Sequence, residues 1–185
     1  MAKKGKSQFA ILGMLALLKK STGYDLKKHM ESSTQYFWKE TFSSIYPMLE
    51  KLEKQKLIMK VDEASRNDRK CNTYTITSKG RAVLERWLMQ PAEPLQLRNE
   101  LLLKLFFGSM NPAKMSIKHL ENYQKELDTK LSTYQKIKNE LSASNSPESL
   151  YYLITIDHGI KQVLTSQEWC NSAIHALKNK QITGV

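Results

Sequence analysis

The sequence predicts a mainly α-helical chain with one small β-hairpin, and three observations predict it. Apolar residues recur three to four positions apart over most of the chain, the period of a half-buried helix. Two short segments, Leu57 to Glu63 and Cys71 to Thr77, break that period; in the second, Tyr74 and Ile76 alternate with threonines, as in a strand. A proline pair in Gln90-Pro91-Ala92-Glu93-Pro94 then ends the helical pattern and divides residues 1–90 from residues 95–185.

Each element has a local reason. Phe9 to Leu18 is almost wholly apolar and reads as a buried first helix. Ser21-Thr22-Gly23 breaks the chain and can cap a second helix from Tyr24 to about Ser32, with Leu26 and Met30 one turn apart on its inner face. Tyr36-Phe37-Trp38-Lys39 links it to a third helix over 43–54, where Ser43 or Ser44 can serve as N-cap and Pro47 falls in or next to the first turn. Ile45, Met48, Leu49 and Leu52 form the apolar stripe of that helix, while Ser44, Tyr46, Lys51 and Lys54 occupy its other face. The two strands follow, joined by Ala64-Ser65-Arg66-Asn67-Asp68-Arg69-Lys70, a polar tip with three cations. Thr77-Ser78 caps a fourth helix with Val83, Leu84, Trp87 and Leu88 on its buried side.

The second half is helical throughout. Leu95 to Gly108 is apolar on nearly every side, which predicts burial all round. Asn111-Pro112 starts a long helix reaching about Ala143, with Ile117, Leu120, Leu127, Leu131, Tyr134 and Leu141 as its seam, broken by Gln124 and Lys138. Ser146-Pro147 starts another, with Leu153, Ile156, Ile160, Val163, Gln167, Cys170, Ile174 and Leu177 alternating three and four apart. Such seams suit an antiparallel pair or the helices of a second copy. Their apolar surface, added to that of residues 101–107, exceeds what one thin helical layer hides. Leu102, Leu105, Phe106, Phe107, Leu127, Leu131, Ile156, Ile160 and Val163 are therefore candidate dimerisation residues.

Composition limits the function. A net charge of +11 is concentrated in residues 1–80, where 16 Lys/Arg face 8 Asp/Glu. A basic surface of this kind attracts polyanions. No apolar run approaches the roughly 20 residues that span a bilayer, and the apolar start lacks a secretory cleavage site, so a cytoplasmic address is expected. Cys71 and Cys170 match no metal spacing. His29, His119, His158 and His175 form no ligand pair, and Asp157-His158 are adjacent helical residues that point apart. No phosphate loop or nucleophile elbow is present, so neither an enzyme nor a cofactor or metal is expected.

Helix, capped helix, hairpin with cationic tip and further helix, in that order, is the arrangement of a winged helix-turn-helix. Several segments resemble the PadR family of bacterial transcriptional regulators: Gly23-Tyr24-Asp25-Leu26, Ile45-Tyr46-Pro47-Met48-Leu49 with Leu52, Leu57-Ile58, and Arg69 through Tyr74-Thr75-Ile76-Thr77 to Gly80 and Leu84. Tyr36-Phe37-Trp38-Lys39 and Leu102-Leu103-Lys104-Leu105-Phe106-Phe107-Gly108 resemble the subgroup with a long helical C-terminal domain, which includes virulence activators. Lys56 departs from the pattern, since many members carry glycine before the Leu-Ile pair. The resemblance implies a homodimer on an inverted repeat in double-stranded DNA, with contacts exchanged through the C-terminal helices. Some relatives respond to small aromatic effectors.

The candidate DNA-binding residues are Tyr24, Lys39, Ser43, Ser44, Tyr46, Lys51, Arg66, Arg69 and Lys70. Tyr46 sits off the apolar stripe and favours the DNA backbone over the core. Tyr24 serves either packing or backbone contact. The tip cations Arg66, Arg69 and Lys70 favour phosphate in a wing. Lys3, Lys4 and Lys6 are a loose tail or a groove-tracking arm, and Trp38 reads as structural. Trp87, Phe106, Phe107 and Trp169 are core residues or the lining of an effector pocket. The rival to a DNA-binding regulator is a helical protein–protein adaptor whose basic half binds an acidic partner; preference for a palindromic duplex over random DNA separates the two.

Overall fold

The computed structural model describes residues 5–61, 72–95, 97–143 and 146–179. They divide into two compact units, Met1–Pro94 and Leu95–Val185.

In the first unit, α1 (Ser7–Leu18) buries Ile11, Leu12, Met14 and Leu15. A two-residue strand β1 (Ser21–Thr22) follows, then α2 (Gly23–Ser32), α3 (Phe42–Lys54), β2 (Ile58–Val61), β3 (Thr73–Ile76) and α4 (Ser78–Leu88). The antiparallel sheet has the order β1-β3-β2, with Ser21 opposite Tyr74 and Ile58 opposite Ile76. β1 was not expected: two residues have no readable periodicity, and only pairing with β3 makes them a strand. The hairpin strands are shorter in the described residues than the segments read from sequence, and its tip, with Arg66, Arg69 and Lys70, lies outside them.

Local chemistry sets the joints. The Thr22 hydroxyl accepts the Asp25 N–H at 3.1 Å and caps α2. The Thr77 hydroxyl does the same for α4, accepting Gly80 N–H at 3.0 Å. A Cβ on Gly80 would stand 2.0 Å from the Leu57 carbonyl oxygen, so glycine lets α4 press against the start of β2. At the end of α3, Leu57 N–H reaches Leu52 O at 2.9 Å and Lys56 N–H reaches Glu53 O at 2.8 Å, a Schellman closure. Lys56 takes the left-handed position there with φ 58°. The core joins Leu12, Leu15, Leu26, Met30, Ile45, Leu49, Leu52 and Ile58, with Phe9, Trp38, Val83 and Trp87 packed around them. Leu88, the last residue of α4, is not on its buried side: it is exposed.

The second unit holds α5 (Glu100–Phe106), α6 (Ala113–Ser142) and α7 (Pro147–Asn179). α6 and α7 pack antiparallel. Gln124 Nε2 bonds Asn171 Oδ1 at 2.6 Å, Gln167 Nε2 bonds Asp128 Oδ1 at 2.6 Å, and Lys138 Nζ reaches Asp157 at 3.0 Å. The two residues that interrupt the α6 seam thus find partners across the pair and pin its register. Buried positions repeat by sevens, with Leu120, Leu127 and Tyr134 on α6 and Ser149, Ile156, Val163 and Cys170 on α7. A Cβ on Gly159 would meet the Tyr134 ring at 3.0 Å, so the glycine seats that ring. Pro112 precedes α6 with ψ 135° rather than opening it.

The expected burial of residues 95–108 does not occur within this chain. α5 has no buried residue; Leu102, Leu103 and Phe107 are exposed, and Phe106 is 81% exposed. One short helix beside an antiparallel pair leaves most of its circumference uncovered.

Candidate nucleic-acid interface

The exposed face of the first unit centres on the N-terminal half of α3. Its cap is Thr41, two residues before Ser43 and three before Ser44, the positions read from sequence. Thr41 and Ser44 form a reciprocal capping box, with Thr41 N–H donating to Ser44 Oγ at 3.0 Å. Thr41, Ser43 and Ser44 all carry cap-competent hydroxyls, and only the backbone decides among them. With Phe42 as first helical residue, Pro47 falls in the second turn, inside the helix. Its missing N–H leaves the Ser43 carbonyl without an intrahelical donor on the exposed side.

Ser44 is half-buried and already engaged. Its hydroxyl lies 2.6 Å from Glu40 Oε2 and 2.8 Å from the Thr41 carbonyl oxygen. Glu40 is a buried carboxylate that also accepts the Trp38 indole N–H at 2.8 Å. Trp38 is therefore structural, tying the approach to α3 onto the core. Ser43 is exposed, its Oγ 2.8 Å from Thr41 Oγ1.

Three aromatic rings run across the N-terminal ends of α2 and α3. Phe42 lies 6.2 Å from Tyr24 with planes 17° apart, and 6.2 Å from Tyr46 with planes 19° apart. All three are exposed. Lys27, buried at the root of α2 and ion-paired with Glu31, places its ammonium 5.5 Å from the Phe42 ring centroid. A Cβ on Gly23 would stand 2.7 Å from Tyr46 Cε1, so glycine lets Tyr46 lie across the start of α2.

Cations border this face. Lys39, Lys51 and Lys54 are exposed. Lys60 on β2 is tied to Glu53 at 3.1 Å, and that hydrogen bond holds its ammonium above the usual lysine range. Lys6 is paired with Glu93 at 2.8 Å; Lys3 and Lys4 lie outside the described residues. The structure brings Tyr24 and Tyr46 each within 6.2 Å of Phe42 and assigns Ser44 to the helix cap. Sequence reasoning passed over Phe42, Lys27 and Glu40. Two signals were present: Phe42 lies one turn from Tyr46, and Thr41-x-x-Ser44 has the spacing of a capping box; Lys27 and Glu40 carry none.

In the second unit, Leu127, Ile156 and Val163 are buried between α6 and α7 of the same chain, with Leu131 and Ile160 half-buried beside them. Leu105 is half-buried on α5. Phe106 and Phe107 meet edge to face at 5.1 Å. Of the four aromatics considered as pocket lining, Trp87 stacks on Phe9 at 4.5 Å in the first unit's packing. Phe107 borders an open groove of about 370 Å³ with Leu103, Met110, Met115, Ser116 and His119. Lys104 on its rim is paired with Glu100 at 2.7 Å, which holds that carboxyl below its usual range. Among the described residues no group of three or more His, Cys, Asp or Glu could hold a metal ion, and no helix is long and apolar enough to cross a membrane.

A helix-turn-helix with an antiparallel hairpin behind its exposed helix, followed by a unit of long helices, defines a winged-helix regulator. Residues 11–86 match the family profile described as transcriptional regulator PadR-like family, and residues 97–178 match virulence activator alpha C-term. The chain thus joins a PadR-like transcriptional-regulator domain to a C-terminal domain of the virulence-activator kind, and the families and neighbours it matches are transcriptional regulators, not enzymes. A probable transcriptional regulator of Mycobacterium tuberculosis is 24% identical over 87% of this chain and 92% of its own length. Bacillus subtilis PadR in complex with operator DNA superposes with a TM-score of 0.81 at 24% identity, covering 92% of this chain and 98% of that one. The same protein in complex with p-coumaric acid gives 0.75 at 25% identity, over 96% and 98% of the two chains. The Vibrio cholerae virulence activator AphA gives 0.76 at 25% identity, over 94% and 98%.

Proposed function

We propose that the chain is a dimeric, sequence-specific regulator that binds an inverted repeat in double-stranded DNA. In this reading residues 1–90 bind DNA and residues 95–185 join two copies. The N-terminal half of α3 enters the major groove, where Ser43 approaches base edges. Tyr24, Tyr46, Lys39 and Lys51 contact the backbone, and Arg66, Arg69 and Lys70 of the hairpin tip contact phosphate or the minor groove. Ser44, whose hydroxyl serves the helix cap, acts by holding Ser43 and Thr41 in place.

The observation that carries the proposal is the solvent-facing start of α3. It combines a hydroxyl-rich first turn, flanking tyrosines and exposed lysines on a helix whose opposite face is fully buried by Ile45, Leu49 and Leu52. A surface helix fastened so firmly by one face presents the other rigidly, as groove reading requires. The dimer is supported by the uncovered apolar surface of α5. A small aromatic acid as effector is supported by the complex of B. subtilis PadR with p-coumaric acid, and by a groove beside Phe107 of the size that small ligands fill.

The test is selection of bound duplexes from a random pool by the full chain, then a salt titration of wild type and Arg69→Ala on the selected duplex and on random DNA. Arg69→Ala should weaken both and reduce the log–log salt slope by roughly two per dimer. A pool that yields no preferred sequence, together with tight binding to an acidic protein, would favour the adaptor reading instead.

A further inference from the structure

We infer that Phe42 is a specificity-determining residue that reads the C5-methyl group of thymine in the major groove. The inference rests on the proposed entry of α3 into that groove.

Phe42 is the first residue of α3 and is 44% exposed. It lies outside the first unit's packed core, which closes without it. Its ring is nevertheless positioned. The ammonium of a buried lysine approaches it at 5.5 Å, and two tyrosine rings lie 6.2 Å from it at shallow interplanar angles. An exposed aromatic ring with three such neighbours is a prepared contact surface, since ordering a free side chain would otherwise cost conformational entropy on binding.

The chemistry of the three rings differs in one atom. Tyr24 and Tyr46 end in hydroxyls that can donate to phosphate oxygens. Phe42, in contact with both, has no donor to offer a phosphate. If the tyrosine hydroxyls reach the phosphates at the edges of the groove, the Phe42 ring is left to its floor, where a single base presents an apolar group. That group is the thymine methyl, and contact between it and an apolar side chain such as phenylalanine is an established form of direct readout. Phe42 also shares the helix face of Tyr46, one turn on, so the backbone contact of one sets the depth of the other. Lys27 then acts as a positioning residue: its charge lies behind the ring and is balanced by Glu31.

The experiment uses the full chain and the best duplex recovered from a random pool. Each dT is replaced in turn by dU, which removes the methyl and nothing else, symmetrically in both half-sites. Dissociation constants are measured for wild type, Phe42→Ala and Phe42→Leu, with thermal melts to show that the variants are folded. Wild type should lose about tenfold at one thymine pair, the transfer value of one methyl per half-site. Phe42→Ala should be insensitive to that same replacement, within twofold, while Phe42→Leu should keep part of the sensitivity. The inference is overturned if Phe42→Ala stays as sensitive to the methyl as wild type, or if no thymine in the selected site is sensitive. It is also overturned if Phe42→Ala changes the association state of the chain and leaves every affinity unchanged, which makes the row a protein contact. A wild-type chain that selects no sequence at all removes the parent reading first, and that failure is distinct from a selected site indifferent to its methyl groups.

Discussion

Ser44→Ala separates a residue that reads DNA from one that holds the reader. The substitution removes one oxygen. That oxygen accepts Thr41 N–H at 3.0 Å and has one proton to share between Glu40 Oε2 at 2.6 Å and the Thr41 carbonyl at 2.8 Å. The two acceptors compete for the same proton, so their contributions do not add. Glu40 is only 7% exposed and would keep its bond from the Trp38 indole. A hydrogen bond to a buried carboxylate contributes about 1.5–3 kcal/mol, and loss of a helix cap costs about 1 kcal/mol. The first figure sets the scale. For a chain of 185 residues it lowers the unfolding midpoint by about 3–12 °C. The assay is a thermal melt followed by tryptophan fluorescence, alongside affinities for the selected duplex and its single-base variants. Absolute affinity should fall because the first turn of α3 frays, while the ratios between base variants stay within about twofold of wild type. Ser43→Ala should do the reverse, leaving the melt unchanged and compressing those ratios. If Ser44→Ala melts like wild type and alters base preference, the hydroxyl reads bases and its assignment to the cap is wrong.

Lys56→Gly should raise the unfolding free energy measured in urea by about 0.5–1 kcal/mol, because a left-handed lysine with φ 58° carries a steric cost that glycine lacks; a lower value would mean that the lysine side chain stabilises the turn. The Asp157 carboxyl is held below its usual range by hydrogen bonds from Lys161 and Lys138. A depressed carboxylate contributes stability above its unfolded pKa of about 3.9 and loses it as pH falls through the lower folded value. Asp157→Asn should therefore flatten the stability profile below about pH 4, and superimposable acid profiles would exclude this pair as a source of stability. Phe106→Glu, at a position 81% exposed in the chain, should leave an isolated chain's melt intact but convert a dimer to monomer in sedimentation; a variant that still sediments as a dimer removes α5 from the interface.

What the sequence made legible was local. The stripe of Ile45, Leu49 and Leu52 and the caps at Thr22 and Thr77 are short-range patterns, and the structure keeps them. The cap of α3 was misplaced because three neighbouring hydroxyls compete for the role and only backbone geometry decides. β1 was missed because it exists through its pairing with β3, more than fifty residues away. The polar breaks at Gln124 and Lys138 were visible as breaks but not as contacts, since their partners Asn171 and Asp157 are set by the register of α7. Within the candidate interface, charge and tyrosine content marked the region. The roles of Ser44, Glu40 and Phe42 depended on which way each side chain points from a helix start that was read two residues late.

The apolar helix α5 is the remaining conflict between pattern and burial, and it bears on how the chain would read DNA. α6 and α7 bury one narrow seam each, at positions seven apart, and that seam is closed within the chain. Leu102, Leu103 and Phe106 on α5 and Phe107 at its C-cap, with Leu150, Tyr151 and Ile154 at the start of α7, lie outside the seam and face solvent. A monomer would carry this surface at a cost of about 25 cal/mol for every Å² of apolar area left in water. In the proposed dimer a second copy would cover it, since a two-fold interface lets one patch meet itself: each residue that finds a partner serves as partner in turn. The same two-fold axis would present two α3 helices in opposite senses, and a site read by them must be an inverted repeat, with its half-site spacing set by the axis. Surface left uncovered at residues 102–107 and symmetry demanded of the DNA are then one requirement, and a selected site lacking two-fold symmetry would refute both together.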